Sequence, residues 1–363
     1  MVYFVLMLGA AVVAAGITPL VRRFARRFQV LDLPLGGRKI HKEPMPLLGG
    51  LAPWCAVVLM MGGIILFAPQ FISKIPSAHL WGLFLGSLAL MIGGYLDDRY
   101  RLRPSRQILF PLAAALIVIM SGIGIREITN PFGGVIPLVW WEHVVMAWGG
   151  QERYISLPAD LLTFGWLLAM MYTTKALDGL DGLVSGMTVI GGAMILFLTT
   201  ATQWYQPEVG TLAALVTGAF LGFLIWNFHP AKIFLGEGGS TVAGFFLGTL
   251  AVISGGKIAT ALLVFGIPML DLVWVVLRRT FWDRTSVAKD DRKHLHFRLL
   301  DVGFTHRGAV LVLYAVAALF GILTLVLQSR EKLVALGILV SLMVIGAIIL
   351  VKLHKNRNLT NRH

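Results

Sequence analysis

The chain has 363 residues, of which 57% are hydrophobic and 13% charged, with a mean hydropathy of +0.80. These values lie outside the range of water-soluble globular domains and predict a protein of the lipid bilayer. The single cysteine, Cys55, excludes an intrachain disulfide and a cysteine-based metal cluster. The formal charge of +13 does not indicate a nucleic-acid partner, because the basic residues stand between apolar runs, where membrane topology explains them.

Apolar runs of about 20 residues, the length that crosses a hydrocarbon core of about 30 Å, recur along nearly the whole chain. They predict an all-α polytopic membrane protein with about eleven transmembrane helices, forming a single domain over 1–352 followed by a basic tail, 353–363. The predicted spans are approximately 2–21, 47–68, 79–96, 107–125, 159–176, 183–202, 209–226, 239–256, 258–277, 308–328 and 333–352.

The distribution of basic residues predicts that the N-terminus lies outside the cytoplasm. In this orientation 25 of the 31 Lys and Arg residues fall on the inner side, as the positive-inside rule requires. The first span lacks a basic segment before it, so we interpret it as an anchor rather than a removable signal peptide. The predicted outer segment 126–158 is rich in glycine and tryptophan, and this composition predicts turns at the membrane interface.

The residues suited to chemistry all fall on the predicted inner side. A carboxylate at the centre of a membrane helix costs about 2.5–3.5 kcal/mol, so acidic residues at span ends need a partner, water or a function. Several of them on one membrane surface indicate a bound cation. The four clusters are Asp97-Asp98, Asp178 to Gly182, Gly236 to Ser240, and His294 to His296.

Asp97 and Asp98 end the third predicted span. Adjacent carboxylates offer one contact to a metal or substrate and one proton acceptor, the division of labour that phosphoryl transfer to a phosphate nucleophile requires. The alternative is a solvated helix end, at which both residues pair with the neighbouring arginines Arg99, Arg101 and Arg103.

Asp178 and Asp181 join the fifth span to the sixth and are three residues apart, so they face the same way if the next helix has begun. The intervening glycines let a bulky ligand approach the backbone. The alternative role is N-capping of the sixth span.

Glu237 stands between glycines at the start of a helix, where free backbone N–H groups and the helix dipole favour phosphate. The Gly-Lys-Ser/Thr ending of a P-loop is absent from this run. Glu237 is a plausible Mg²⁺ ligand, since oxygen donors and substrate phosphates usually hold that ion. His294 and His296 could hold a diphosphate, although, taken alone, they are better explained as part of an ordinary charged cytoplasmic loop.

Taken together and in order, these motifs resemble the polyprenyl-phosphate N-acetylhexosamine-1-phosphate transferases, the MraY/WecA/TagO-type family of bacterial cell-envelope synthesis. The resemblance covers about residues 1–352. The matching elements are Arg38-Lys-Ile-His-Lys-Glu-Pro-Met-Pro with Gly49-Gly50, Asp97-Asp98, Leu177-Asp-Gly-Leu-Asp-Gly-Leu183, Asn227 with Phe234-Leu-Gly-Glu-Gly-Gly-Ser240, and Asp291-Arg-Lys-His-Leu-His296.

The resemblance implies a multi-pass enzyme of the bacterial cytoplasmic membrane with its active site facing the cytoplasm. Its partners would be a UDP-N-acetylhexosamine and undecaprenyl phosphate, its cofactor Mg²⁺ or Mn²⁺, and its assembly a homodimer. The lipid phosphate would attack the β-phosphate of the UDP-sugar and release UMP. This reaction fits the residues, since phosphoryl transfer depends chiefly on positioning and charge neutralisation.

The resemblance also implies roles for individual residues. Asp97 looks like the group that deprotonates or orients the lipid phosphate, with Asp98 beside it at the metal and phosphate site. The implied metal ligands are Glu237, Asp98 and Asp178. The implied substrate contacts are Asp181, Asn227 and Phe234 for the uridine, and Lys42, Lys175, His294 and His296 for the diphosphate.

Three positions depart from the family's usual pattern. The family has Asp where Glu237 stands, Asn where Lys175 stands, and a further His where Phe297 stands. Glu for Asp keeps the charge but lengthens the side chain, whereas an ammonium in place of an amide cannot ligate a metal.

Alternative functions remain open. The pattern looks closer to the branch that uses small UDP-N-acetylhexosamines than to the branch that uses UDP-MurNAc-pentapeptide. A CDP-alcohol phosphotransferase is disfavoured, because no acidic residue follows Asp181 before Glu208. A lipid or sugar transporter would carry polar groups near mid-membrane, where Asp271 alone suits that picture; Asp271 fits a supporting role at the inner end of its helix better.

Overall fold

The computed structural model describes residues 1–34, 43–130, 133–140, 143–148, 151–200, 205–255, 258–283 and 294–360. Each predicted span corresponds to a helix, which confirms the all-α class. The helices are α1 (Val2–Arg27), α2 (Leu51–Phe67), α3 (Ser77–Tyr100), α4 (Pro104–Gln107), α5 (Leu109–Met120), α6 (Leu157–Leu177), α7 (Leu183–Thr200), α8 (Pro207–Asn227), α9 (Gly236–Ile253), α10 (Ile258–Leu277), α11 (Leu295–Asp301), α12 (His306–Val326) and α13 (Ser329–Thr360). A 3₁₀ turn, Pro69–Phe71, precedes α3, and a π-helical turn, Arg278–Asp283, follows α10.

Seven of the described helices are long and apolar enough to cross a membrane, judged by length and composition. They are α1, α3, α7, α8, α9, α10 with its π-helical extension, and α12. The helices α2 and α5 are apolar but shorter. Helix α13 continues to Thr360, so most of the predicted basic tail is helical.

The helices α8 and α9 form the centre of the bundle. Their residues are buried on nearly every face, as expected for helices that are apolar all round. Helix α8 packs against α1, α2 and α7, while α9 packs against α3 and α6. Helices α10, α12 and α13 pack together on the side of α6 and α7.

Small residues set the distance between the central helices. Gly218 and Gly222 lie four residues apart on α8, and a Cβ on either would collide with the backbone carbonyl of Met7 or Ala11 on α1. Helices in lipid associate through such close backbone contacts, because the surrounding hydrocarbon supplies no hydrophobic force between them. Glycine at these two positions is therefore required for the close packing of α1 on α8.

The segment predicted as an interfacial turn region contains two antiparallel hairpins. Strands β3 (Glu127–Thr129) and β4 (Val135–Pro137) form the first, and β5 (His143–Trp148) and β6 (Gln151–Ile155) form the second. A further short pair, β1 (Leu31–Asp32) with β2 (Met45–Pro46), lies between α1 and α2. The sequence predicts turns in this segment but does not predict the strands between residues 127 and 155.

Candidate active site

The site begins where the end of α3 meets the start of α9. The backbone N–H of Glu237 donates to both carboxylate oxygens of Asp98, with N···O distances of 3.2 and 3.3 Å. Gly94 on α3 lies against Gly238, and a Cβ at Gly94 would collide with the Gly238 backbone. The glycines around Glu237 thus allow α3 to approach until Asp98 reaches the first turn of α9.

Position 236 requires a glycine for two reasons. Its φ of +77° belongs to the left-handed region, which side chains disfavour. A Cβ at this position would also meet Oδ2 of Asp98 at 2.5 Å. The turn that presents Glu237 to Asp98 is therefore built on this residue.

Three backbone hydrogen bonds join the segment before α2 to the same turn. The Gly49 N–H donates to the Phe234 carbonyl at 2.9 Å, the Gly50 N–H to the Leu235 carbonyl at 2.8 Å, and the Phe234 N–H to the Pro46 carbonyl at 2.9 Å. The motif that precedes α2 therefore joins the motif that opens α9. Lys42, predicted as a diphosphate contact, lies outside the described residues.

Glu237 forms an ion pair with Lys175 from the last turn of α6, between Oε1 and Nζ. The Lys175 ammonium also lies 5.7 Å from the centre of the Tyr172 ring. The charges of Asp178 and Asp97 both act on Asp98, so the three acidic motifs share one electrostatic environment.

Asp97 and Asp98 face different surroundings. Asp97 accepts a hydrogen bond from the Leu102 N–H at 2.9 Å on one carboxylate oxygen and from the Gln107 side-chain amide at 2.8 Å on the other. In the described part of the chain it pairs with none of the neighbouring arginines, which argues against the alternative of a simple charged helix end. Asp97 thus holds the turn after α3, while Asp98 meets Glu237.

The loop between α6 and α7 does not place its carboxylates on the next helix. Helix α7 begins at Leu183, so Asp178 and Asp181 precede it, and the condition for a shared helical face is not met. Asp181 accepts hydrogen bonds from His229 Nδ1 at 2.7 Å and the Ala231 N–H at 3.1 Å. The carboxylate therefore ties its loop to the connection between α8 and α9, and this bond set is not an N-cap of α7.

Two histidines that the sequence prediction missed complete this group. His229 and His306 stack with ring centres 4.1 Å apart, and the Asp181 N–H donates to His306 Nε2 at 2.8 Å. Ligand atoms of Asp181, His229 and His306 lie within 4.8 Å of one another, close enough for one metal ion. The only sequence signal was their place at helix ends on the predicted inner side, since each lies far from Asp181 along the chain.

Asn227 is nearly fully buried, at 4% exposed. Its side-chain carbonyl accepts from the Ser185 hydroxyl at 2.7 Å, and its amide donates to the Ile233 carbonyl at 3.1 Å. These bonds hold the connection that carries His229 and Phe234. A direct contact between Asn227 and a nucleotide stays a prediction.

The predicted histidine motif lies against the α6–α7 loop. His296 is 2% exposed, and a Cβ at Gly179 would collide with its ring and with the ring of Phe297. His294 Nδ1 is 2.7 Å from the carboxylate of Asp271, which also accepts from the Leu295 N–H at 3.1 Å. Asp271 therefore orients His294, which agrees with a supporting role; its place on the inner side of the membrane stays a prediction.

The donor set of this site suits a hard divalent cation. Asp98, Asp178 and Glu237 supply carboxylate oxygens, the ligands that Mg²⁺ and Mn²⁺ prefer. Asp98 and Glu237 are partly buried and lie next to one another, whereas Asp178 is exposed. Carboxylates removed from water are stabilised by cations and hydrogen-bond donors, so the pair of Asp98 and Glu237 fits a bound cation.

Comparison with known proteins agrees with these motifs. The sequence model of glycosyl transferase family 4 matches residues 80–255. This region runs from α3 to the end of α9 and includes Asp98, Asp178 and Glu237. Over this region, nearly half of its length, the chain is similar to glycosyl transferase family 4. Members of the family are metal-dependent transferases.

Similar bacterial proteins extend over most of the chain. A probable undecaprenyl-phosphate N-acetylglucosaminyl 1-phosphate transferase of Bacillus subtilis is 29% identical, covering 92% of this chain and 87% of its own. A decaprenyl-phosphate N-acetylglucosaminephosphotransferase of Mycobacterium tuberculosis is 29% identical over 85% of this chain and 78% of its own. An undecaprenyl-phosphate alpha-N-acetylglucosaminyl 1-phosphate transferase of Escherichia coli is 25% identical over 82% of this chain and 76% of its own.

Proposed function

We propose that this chain transfers phospho-N-acetylglucosamine, or a closely related phospho-N-acetylhexosamine, from a UDP-sugar to a polyprenyl phosphate. The observation that carries the proposal is the contact between Asp98 and Glu237, which joins two acidic motifs within the region that the glycosyl transferase family 4 model matches. The names of the bacterial relatives support the lipid and the sugar.

In the proposed reaction an oxygen of the lipid phosphate attacks the β-phosphorus of the UDP-sugar. A new phosphorus–oxygen bond forms there, and the bond from the β-phosphorus to the bridging oxygen breaks, so that UMP leaves and a lipid-diphosphate-sugar remains. This chemistry needs little covalent participation by the protein. It needs two anionic substrates held in line and their charge neutralised.

The residues divide this task among them. Asp98, Asp178 and Glu237 would hold a Mg²⁺ or Mn²⁺ ion, which when bound would neutralise charge on the diphosphate and polarise the transferred phosphoryl group. Asp97 would accept the proton of the lipid phosphate or orient it. Asp181 and Phe234 would position the uridine, and Lys175, His294 and His296 the diphosphate.

The site is proposed to face the cytoplasm. The supporting observation is that basic residues concentrate on the same side of the predicted topology as all the acidic motifs. UDP-sugars would then reach the site from water, and the lipid phosphate from the bilayer between helices. A homodimer stays a prediction.

Release of UMP tests the function. Purified protein would be mixed with Mg²⁺, undecaprenyl phosphate and, in separate reactions, UDP-GlcNAc, other UDP-N-acetylhexosamines and UDP-MurNAc-pentapeptide. We expect UMP and a lipid-linked sugar with UDP-GlcNAc or a close relative of it. Glu237→Ala and Asp98→Asn should each reduce turnover by about 10²–10³-fold, as expected when a charge-stabilising group is removed.

The outcomes separate the alternatives. Product only with UDP-MurNAc-pentapeptide would assign the chain to that branch. Absence of UMP with every donor, under conditions in which the Bacillus subtilis relative is active, would refute the transferase proposal and leave transport as the better explanation.

A further inference from the structure

The ion pair between Lys175 and Glu237 is held by rigid parts of the fold. Helix α6 packs along α9, with Gly244 against the Met170 carbonyl and the Trp166 indole N–H donating to the Gly248 carbonyl at 3.0 Å. Lys175 lies in the last turn of α6 and Glu237 in the first turn of α9. The helix packing therefore brings the two side chains together at the same end of the bundle.

This pair differs from an ordinary surface ion pair. The side chains of Lys175 and Glu237 are 24% and 19% exposed, so both charges are largely removed from water. Surface pairs contribute little because solvent screens them, whereas a charge-assisted hydrogen bond in a partly buried site is stronger. The Lys175 ammonium therefore has a substantial preference for Glu237 over solvent.

The same carboxylate is one of the proposed metal ligands. An ammonium group donates hydrogen bonds and cannot ligate a metal. While Lys175 Nζ contacts Glu237 Oε1, that oxygen is not available to a divalent ion, and the positive charge repels one. Two of the departures from the family's usual pattern, Lys175 and Glu237, thus meet in one contact.

We propose that Lys175 is an internal cation that competes with the divalent ion for Glu237. In the substrate-free protein Lys175 neutralises Glu237 and weakens its affinity for the ion. Metal binding moves the ammonium away from Glu237, and the released charge is then available to the anionic diphosphate of the donor. This last role rests on the proposed function, whereas the competition itself does not.

Binding of Mn²⁺ without substrate tests the competition. The full-length protein in detergent would be titrated with MnCl₂, and free Mn²⁺ would be measured by electron paramagnetic resonance. We expect Lys175→Asn to bind Mn²⁺ about tenfold more tightly than the wild type, the factor that one charge-assisted hydrogen bond supplies. Lys175→Arg keeps the cation and should bind as weakly as the wild type.

A second lysine–glutamate pair offers a matched control. Lys74 lies 3.6 Å from Glu208 near the start of α8, and Lys74→Asn removes the same charge from that pair. This variant should bind Mn²⁺ like the wild type. Equal affinity in Lys175→Asn and Lys74→Asn would overturn the proposal, because any effect would then reflect net charge alone.

A measurement on the wild type avoids dependence on a substituted protein that fails to fold. Acylation of Lys175 by a water-soluble amine reagent, followed by mass spectrometry, should increase severalfold when saturating Mn²⁺ is added. Labelling of Lys74 should stay constant. Unchanged labelling of Lys175 at a Mn²⁺ concentration that saturates the protein would show that the ammonium does not leave Glu237.

The two proposals fail in different ways. Tighter Mn²⁺ binding by Lys175→Asn without UMP release from any donor would sustain the competition and refute the transferase. UMP release by the wild type with unchanged Mn²⁺ affinity in Lys175→Asn would sustain the transferase and refute the competition.

Discussion

The backbone N–H of Glu237 donates to the carboxylate of Asp98, at 3.2 Å to one oxygen and 3.3 Å to the other. This contact joins two motifs that are 139 residues apart in the sequence. It also fixes the direction of the Asp98 carboxylate at the positive end of the α9 dipole, where a negative charge is stabilised. The electrostatics of the site therefore depend on the exact path of the backbone through Gly236 and Glu237.

Gly236→Ala should disrupt this contact. The φ of +77° costs a side-chain-bearing residue about 1–2 kcal/mol, and the new Cβ would press on the Asp98 carboxylate. We expect turnover to fall by at least about tenfold, together with a lower midpoint of thermal unfolding, measured by UMP release and by a thermal-shift assay.

Gly62→Ala is the matched control for this change. Gly62 lies within α2, where an added Cβ would have no neighbouring atom within 4 Å, and its φ is not left-handed. The substitution should leave turnover unchanged. Wild-type activity in Gly236→Ala would show that the Asp98–Glu237 contact does not determine catalysis.

Asp97 holds a turn and is also the proposed proton acceptor, and two substitutions separate these roles. Asp97→Asn leaves one acceptor oxygen for the two donors, the Leu102 N–H and the Gln107 amide, and it removes the negative charge. Gln107→Ala removes one donor and keeps the carboxylate. We expect nearly complete loss of turnover in Asp97→Asn and a loss of less than about tenfold in Gln107→Ala.

The comparison requires substrate-saturated rates for both variants. Similar losses would mean that Asp97 acts only through the turn after α3. In that case the proton acceptor must be sought elsewhere, and Asp98 is the adjacent candidate.

Gly179→Ala should separate the α6–α7 loop from the histidine motif. A Cβ at this position would collide with the His296 ring and approach Phe297 Cζ at 2.9 Å, and neither ring has room to move, since both are nearly fully buried. We expect kcat/KM for the UDP-sugar to fall by about tenfold or more, since the loop carries Asp178 and Asp181.

Gly165→Ala provides the control, because a Cβ at Gly165 on α6 has no neighbour within 4 Å. The kcat/KM of this variant should equal that of the wild type. If Gly179→Ala is also unaffected, the docking of the histidine motif on this loop does not influence the site.

The sequence predicted the helices well because a membrane span has a strong signal in length and hydropathy. The hairpins in 127–155 were missed, since short strands at an interface lack a comparable pattern. His229 and His306 were missed for a different reason: their relation to Asp181 exists only once α7, α8 and α12 have packed. The Lys175–Glu237 ion pair likewise joins two helices whose contact no local pattern encodes.

The pair formed by Asp271 and His294 gives the final prediction. Asp271 is buried and lies 2.7 Å from His294 Nδ1, so it holds the ring with a protonated Nδ1 and leaves Nε2 for the proposed diphosphate contact. Asp271→Asn should lower turnover by about 10-fold to 10²-fold, since an amide can present its own N–H to the ring and favour the other tautomer. If Asp271 acts only through His294, the double variant Asp271→Asn/His294→Ala should be no less active than His294→Ala alone. Rates of UMP release for the two single variants and the double variant decide the matter, and additive losses would show that Asp271 has a second role independent of His294.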